Sequence, residues 1–150
     1  MLKVNGIDAY YGDVCALHDI SLEIGDDEII SIIGSNGAGK TTLMNCIVGW
    51  VKVKKGNVEF NGQDITNLPT HSITRTGVVQ IPEGREIFSN MTVLENLEMG
   101  SYSIKRSKKE MNAKIEEMYD LFPRLKERMG QKAGSLSGGE QQMFLPIILS

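Results

Sequence analysis

The sequence predicts a mixed α/β fold, and three observations in its first third carry that reading. Residues 28–33 (Glu-Ile-Ile-Ser-Ile-Ile) form a short β-branched run, the size of a strand buried in a parallel sheet. The run leads straight into a glycine-rich turn over residues 34–39. A helical stretch opens at Lys40 and reaches about Val48, where Gly49 closes it. Strand, glycine-rich loop and helix follow one another without a gap.

The other elements are read in chain order. Residues 2–7 form a first strand and residues 16–24 a second, in which Ile20, Leu22 and Ile24 alternate with Asp19, Ser21 and Glu23. Gly25-Asp26-Asp27 is a turn before the apolar run. Residues 56–64 read as a hairpin about Asn61-Gly62, because that pair favours the left-handed backbone of a two-residue turn. Residues 69–75 suit a short helix, and residues 77–81 a second buried strand stopped by Pro82. Helices then take over. Thr92 with Glu95 forms a capping box for a helix through about Met99, and Ser107 with Glu110 forms another for a longer helix. On that longer helix Met111, Ile115, Met118 and Phe122 share one face, a pattern read as core rather than as a partner groove. The basic run over residues 105–109 is read as a solvated loop and helix start.

Size and charge bound the function. The chain's 150 residues hold one domain with a real core. With 16 basic against 19 acidic residues there is no positive field for nucleic acid, so no nucleic-acid partner is expected. Any phosphate must instead be held by local geometry. Cys15 and Cys46 match no metal or redox spacing and are expected as reduced thiols. Residues 1–10 lack the pattern of a signal peptide, and the longest apolar run, residues 144–149, is far short of the roughly 20 residues of a membrane span. A soluble cytoplasmic chain is expected, with any membrane role reached through a partner.

Two motifs carry chemistry. Gly34-Ser35-Asn36-Gly37-Ala38-Gly39-Lys40-Thr41-Thr42 fits G-x-x-x-x-G-K-[ST]. Glycines let several backbone N–H groups converge on one concavity, and the helix behind adds unpaired N–H groups and its positive dipole end. Lys40 is expected to bridge the β- and γ-phosphates of a nucleoside triphosphate, Thr41 to hold Mg²⁺, and Thr42 to lie near the α-phosphate. The second motif, Leu136-Ser137-Gly138-Gly139-Glu140-Gln141-Gln142, sets a serine and two glycines at a helix start, with Ser137 and Glu140 as a capping box. Ser137, Gly138, Gly139 and Glu140 make a second phosphate-binding surface. It lies far along the chain from the first. Two chains facing head to tail, each completing the other's site, is the economical arrangement.

With both motifs in hand, the chain resembles an ABC-type ATPase, and in particular the ATP-binding subunits of branched-chain amino acid importers. The resemblance spans about residues 2–143. Its most discriminating part is Ile81-Pro82-Glu83-Gly84-Arg85-Glu86-Ile87-Phe88, continued by Met91-Thr92-Val93 and Glu95-Asn96-Leu97; Leu121-Phe122-Pro123-Arg124-Leu125 also matches. The resemblance implies a P-loop NTPase fold with a parallel core sheet, an antiparallel β region and an α-helical lobe. It divides a single, incomplete domain into residues 1–84 (core with antiparallel β region), 85–135 (helical lobe) and 136–150 (signature and the start of its helix). ATP and Mg²⁺ are the implied cofactors. The implied partners are a second ATP-binding subunit, the same or related, and integral-membrane permease subunits, with the chain peripheral on the inner face of the cell membrane. Tyr11 is implied to stack on adenine. Glu83 takes the place of the family's Mg²⁺- and water-sensing glutamine, as a catalytic residue beside Lys40 and a metal contact beside Thr41. Gln80 is the weaker candidate for that place, since it falls within the expected strand.

After Met143 the chain departs from the family pattern. Residues 144–150 lack the basic residue expected on the signature helix and put Pro146 inside it. The strand ending in Asp-Glu and the later histidine do not follow. A truncated or frame-shifted subunit with impaired hydrolysis is therefore expected. Two alternatives stand beside it: a remnant that binds nucleotide or a partner without turnover, and an ABC ATPase unconnected with transport.

Overall fold

The computed structural model describes residues 1–81, 87–100 and 107–143. They divide into two compact units, Met1–Gln80 and Ile81–Ser150, each with its own hydrophobic core. Among the described residues no helix is long and apolar enough to cross a membrane.

In the first unit, β1 (Leu2–Tyr11) and β2 (Val14–Ile24) form a long antiparallel hairpin, followed by α1 (Lys40–Ile47), β3 (Val53–Phe60), β4 (Gln63–Asp64) and α2 (Thr70–Thr76). The sheet order is β2-β1-β3-β4, and every neighbouring pair is antiparallel. Asn61 and Gly62 turn β3 into β4 with φ of 50° and 79°, the two-residue turn that this dipeptide favours. Both hairpin strands run further than the expected residues 2–7 and 16–24, down to Tyr11 paired with Val14. Register shifts interrupt β1 near Ile7 on both its edges. At one of them the Asp19 N–H donates to Asp8 Oδ1 at 2.7 Å; that bond holds the Asp8 carboxyl below its ordinary range. Gly56 has φ of 79°, and a Cβ there would collide with the Asn5 and Gly6 carbonyl oxygens. One face of the sheet, with Val4, Ile7, Ala9, Leu17, Val53 and Val58, packs on Leu43, Cys46 and Ile47 of α1 and Ile73 of α2. Burying each such aliphatic contributes about 1.5–3 kcal/mol. The same burial pushes the Cys46 thiol up to about 11, so it is inert, while Cys15 is exposed.

Two expected strands do not form among the described residues. Residues 28–33 pair with no strand; Ile29 is 96% exposed and Ile33 93%, the reverse of a buried run. Residues 77–81 likewise form no strand, and Ile81 is exposed. The physical reason is that a strand exists only through a neighbour's hydrogen-bond ladder. The sheet that forms among the described residues is the antiparallel one, and it sets no parallel partner beside either run.

The second unit is built of α3 (Val93–Gly100), α4 (Lys108–Leu121), α5 (Pro123–Glu127), a 3-10 turn (Ala133–Ser135) and α6 (Gly138–Gln142). Thr92 caps α3 through Glu95, and Ser107 caps α4 through Glu110 in a full capping box. Ile115 and Met118 are buried, with Met111 and Phe122 packed against the same cluster. The stripe is core, as expected. Ser107, Lys108 and Lys109 are exposed at the start of α4, and the rest of the basic run lies outside the described residues.

Across this unit residues 89–94 lie along residues 129–134. Val93 donates to the Gln131 carbonyl, Ala133 to that of Met91 and Gly134 to that of Ser89, at 2.9–3.0 Å. Asn96, fully buried on the apolar face of α3, fixes the start of that run. Its Oδ1 accepts from Phe88 N at 2.9 Å, and its Nδ2 donates to the carbonyls of Phe88 at 3.1 Å and Thr92 at 2.9 Å.

Replacing Asn96 by Leu, which keeps the volume and removes the donors and acceptor, should cost about 1–3 kcal/mol, chiefly by stranding the Phe88 N–H, since the Phe88 and Thr92 carbonyls keep the Met91 and Asn96 N–H groups. Urea unfolding measures it, and a loss below about 0.5 kcal/mol, the scatter of surface substitutions, would contradict this account.

Candidate functional site

The glycine-rich loop of the first unit is built against the sheet. Residues 34–38 are exposed, and the loop enters α1 at Gly39, whose φ is 90°. A Cβ at Gly39 would lie 2.7 Å from Leu17 Cδ2 and 2.9 Å from the Ala16 carbonyl oxygen. Two requirements thus meet there, a left-handed backbone and a close approach to β2. Gly39 has no side chain with which to cap α1, and none does. The first helix-forming bond is Leu43 N to Gly39 O at 2.8 Å, so the N–H groups of Lys40, Thr41 and Thr42 precede the helical ladder. They carry the positive end of the helix dipole.

Lys40 arches back over the loop, with Nζ donating to the Gly34 and Ser35 carbonyls at 2.8 Å each. An ammonium has three donors, so one remains for an anion at this place. Thr41 is exposed at the first turn, whereas Thr42 is buried. Among the described residues no three His, Cys, Asp or Glu side chains could together hold a metal ion. A divalent cation would fit as Mg²⁺ fits elsewhere, on one hydroxyl with phosphate oxygens and water completing its octahedron. The Thr41 hydroxyl is the group available for that.

Tyr11 ends β1, half-exposed, paired with Val14. On the partner strand, Ala16 and Leu17 abut Gly39. Gln80 bonds to α1: its Nε2 donates to Asn45 Oδ1 at 3.3 Å, and its buried Oε1 has no partner among the described residues. Glu83 lies outside the described residues.

The signature residues belong to the second unit. Ser137 caps α6, its hydroxyl donating to Glu140 Oε2 at 2.7 Å while that carboxylate also accepts from Ser137 N at 2.9 Å. These bonds, the hydroxyl's first, hold the Glu140 carboxyl below its ordinary range. Arg128 lies 3.4 Å from the other carboxylate oxygen. Among the described residues nothing lies within 4 Å of where a Cβ at Gly139 would stand. Sequence reasoning passed over Gln141. It is buried, with Nε2 reaching the carbonyls of Ala133, Gly134 and Leu136 at 3.3, 3.5 and 3.1 Å. It also passed over Asn96, for which a signal existed: a polar residue among Val93, Leu97 and Gly100 on a buried helix face.

Comparison with known proteins bears on both units. A family profile described as ABC transporter matches residues 17–145. The high-affinity branched-chain amino acid transport ATP-binding protein BraG of Pseudomonas aeruginosa is 43% identical over 144 residues, covering 96% of this chain and 61% of its own length. The chain thus spans about three-fifths of that relative. Among solved structures, the ADP conformation of the ATP-binding cassette MJ1267 superposes with a TM-score of 0.82 at 29% identity, over 99% of this chain and 63% of that one. The dimeric bacterial ABC transporter cassette MJ0796 gives a TM-score of 0.81 at 25% identity, over 99% and 68%.

Gly39→Ala should destabilise the first unit by more than about 1 kcal/mol, from the left-handed backbone alone, and more from the collision with β2. Thermal unfolding followed by circular dichroism measures it; an unchanged midpoint would refute the packing described. A second expectation concerns acid. Thr92 N–H holds the Glu95 carboxyl low, as Ser137 holds that of Glu140. Both side chains therefore release their protons more readily folded than unfolded, and their contribution is complete above the ordinary value of 4.5. It is lost as pH falls through their lowered folded values. Denaturation midpoints between neutral pH and about pH 3 should fall more steeply for the natural chain than for Glu95→Gln/Glu140→Gln, which lacks the titrating groups.

Proposed function

The chain belongs to the ABC transporter family, and from that premise we propose that it binds Mg·ATP as a subunit whose nucleotide cycle powers an importer of branched-chain amino acids. The observation that carries the reading is the loop over residues 34–42, where the left-handed Gly39, the uncapped start of α1 and the Lys40 ammonium converge on one anion position. The choice of solute is supported by the name of the Pseudomonas relative.

In this reading the loop N–H groups hold the phosphates, Lys40 bridges the β- and γ-phosphates, Thr41 holds Mg²⁺ and Tyr11 stacks on the base. Mg²⁺ supplies neutralisation of charge on the transferring phosphoryl group, and Glu83 is assigned to it and to the attacking water. Phosphoryl transfer is mostly positioning and charge stabilisation, the work these groups would do. The Ser137 hydroxyl and the backbone N–H groups of Gly138, Gly139 and Glu140 are assigned to the γ-phosphate of a nucleotide held by a second ATP-binding subunit. The dimeric cassette among the structural neighbours supports two chains working together. Integral-membrane permease subunits carry the solute, with this chain on the inner face of the cell membrane.

Isothermal titration calorimetry reads binding directly, without relying on Trp50, the chain's single tryptophan, which lies beyond the far end of α1 from the loop. Titration with Mg·ATP should show saturable binding that Lys40→Ala weakens at least about tenfold, since a charge-assisted contact is lost. Equal affinity of the two proteins would sink the reading. Steady-state turnover abolished by the same substitution would separate a hydrolysing subunit from one that only binds.

A further inference from the structure

We propose that Gln141 is a positioning residue for the signature: its carboxamide sets the place and direction of Ser137 and the start of α6 toward the phosphate they serve. The inference rests on the reading that the signature meets nucleotide held by a second chain, and it deepens that reading.

The geometry gives Gln141 a different task from its neighbours. Ser137 and Glu140 satisfy one another within a single turn of α6, which fixes the shape of the helix start but not where it lies. Gln141 reaches backwards out of the helix. Its one Nε2 gathers the carbonyls of Ala133, Gly134 and Leu136, the 3-10 turn that delivers the chain to Ser137. That turn is anchored in turn. Ala133 and Leu136 are buried in the unit's core, and Ala133 and Gly134 donate to the Met91 and Ser89 carbonyls. With Gln141 in place, the start of α6 is referenced to the core through three carbonyls. Without its two N–H groups, shared among those carbonyls, the tie from α6 back to the turn is lost, although the Ala133 carbonyl keeps the Leu136 N–H.

Buried polar groups are high-stakes, since the low local dielectric strengthens satisfied bonds and penalises broken ones. For a site that must meet a phosphate at hydrogen-bond distance, an error of about 1 Å can cost as much as a hundredfold. Gln141 touches no phosphate in this scheme. It acts through Ser137.

The test uses the full chain with Mg²⁺ and ATPγS, following pairing of two chains by sedimentation velocity and nucleotide binding by isothermal titration calorimetry. Gln141→Met keeps the length and removes the donors. It should leave nucleotide binding unchanged and weaken nucleotide-driven pairing about tenfold or more, as Ser137→Ala does. Ile115→Val, a destabilising change in the same unit's buried core, is the control for mere loss of stability and should leave pairing intact. Should Gln141→Met fail to fold, Gln141→Leu, also without donors and uncharged, is expected to give the same loss. Pairing lost with Ser137→Ala but kept with the Gln141 variant overturns the positioning role alone. An equal loss with Ile115→Val overturns it too. No nucleotide-driven pairing by the unmodified chain, or pairing indifferent to Ser137→Ala, overturns the two-chain reading beneath it.

Discussion

A helix start leaves backbone N–H groups that must find an acceptor, and the way this chain meets that demand organises both of its units. α1 begins at a glycine that offers no cap. α3, α4 and α6 begin at Thr92, Ser107 and Ser137, each with a glutamate three residues on that closes the cap. An uncapped start is tolerable only in water or against an anion, and α1 places its start on an exposed loop. The loop owes its shape to the antiparallel sheet behind it. Gly39 can take its left-handed turn against Ala16 and Leu17 only because it has no Cβ of its own to strike the Leu17 side chain and the Ala16 carbonyl. The long β1–β2 hairpin is thus what gives the turn into α1 a fixed wall.

The second unit answers a complementary question, where its carbonyls go. Asn96 takes the Phe88 N–H and the Phe88 and Thr92 carbonyls. Residues 89–94 exchange bonds with residues 129–134, and Gln141 gathers the carbonyls beyond. Each buried amide satisfies what the helices cannot. The helical core of Ile115, Met118 and Leu125 supplies most of the burial, and the two amides decide where the ends of the irregular segment lie.

What was legible in the sequence follows from the range of the interactions involved. The Asn61-Gly62 hairpin and the capping boxes at Ser107 and Ser137 are local: three or four residues determine them, and the structure has them as read. α1 was legible for the same reason. Residues 28–33 were misjudged as a buried strand because composition reports only that a run suits burial, whereas pairing depends on neighbours that the described residues do not supply. The close approach of Gly39 to Leu17 joins residues 22 apart, and nothing in either segment announces it. Gln141 was invisible because a glutamine in a capped helix has the composition of a solvated face. Its burial comes from the direction in which the helix leaves the 3-10 turn. Asn96 was half-legible, its place on the apolar face being readable and its three partners not.

The self-closed cap at Ser137 bears on how a signature could serve a phosphate at all. Its hydroxyl already donates to Glu140, and the carboxylate already sits at the helix start, so under the two-chain reading an arriving phosphate competes with an anion of the chain's own. The competition is uneven. Opening such a cap costs about 1 kcal/mol. Charge-assisted bonds from phosphate to a hydroxyl and to backbone N–H groups are worth about 1.5–3 kcal/mol each. Glu140 is not stranded when displaced, because Arg128 lies 3.4 Å from its second oxygen. The cap therefore acts as a placeholder: it keeps the helix start formed and oriented until a stronger acceptor arrives. That function is useful only if the start is held in the right place beforehand, which is the work left to the carboxamide of Gln141.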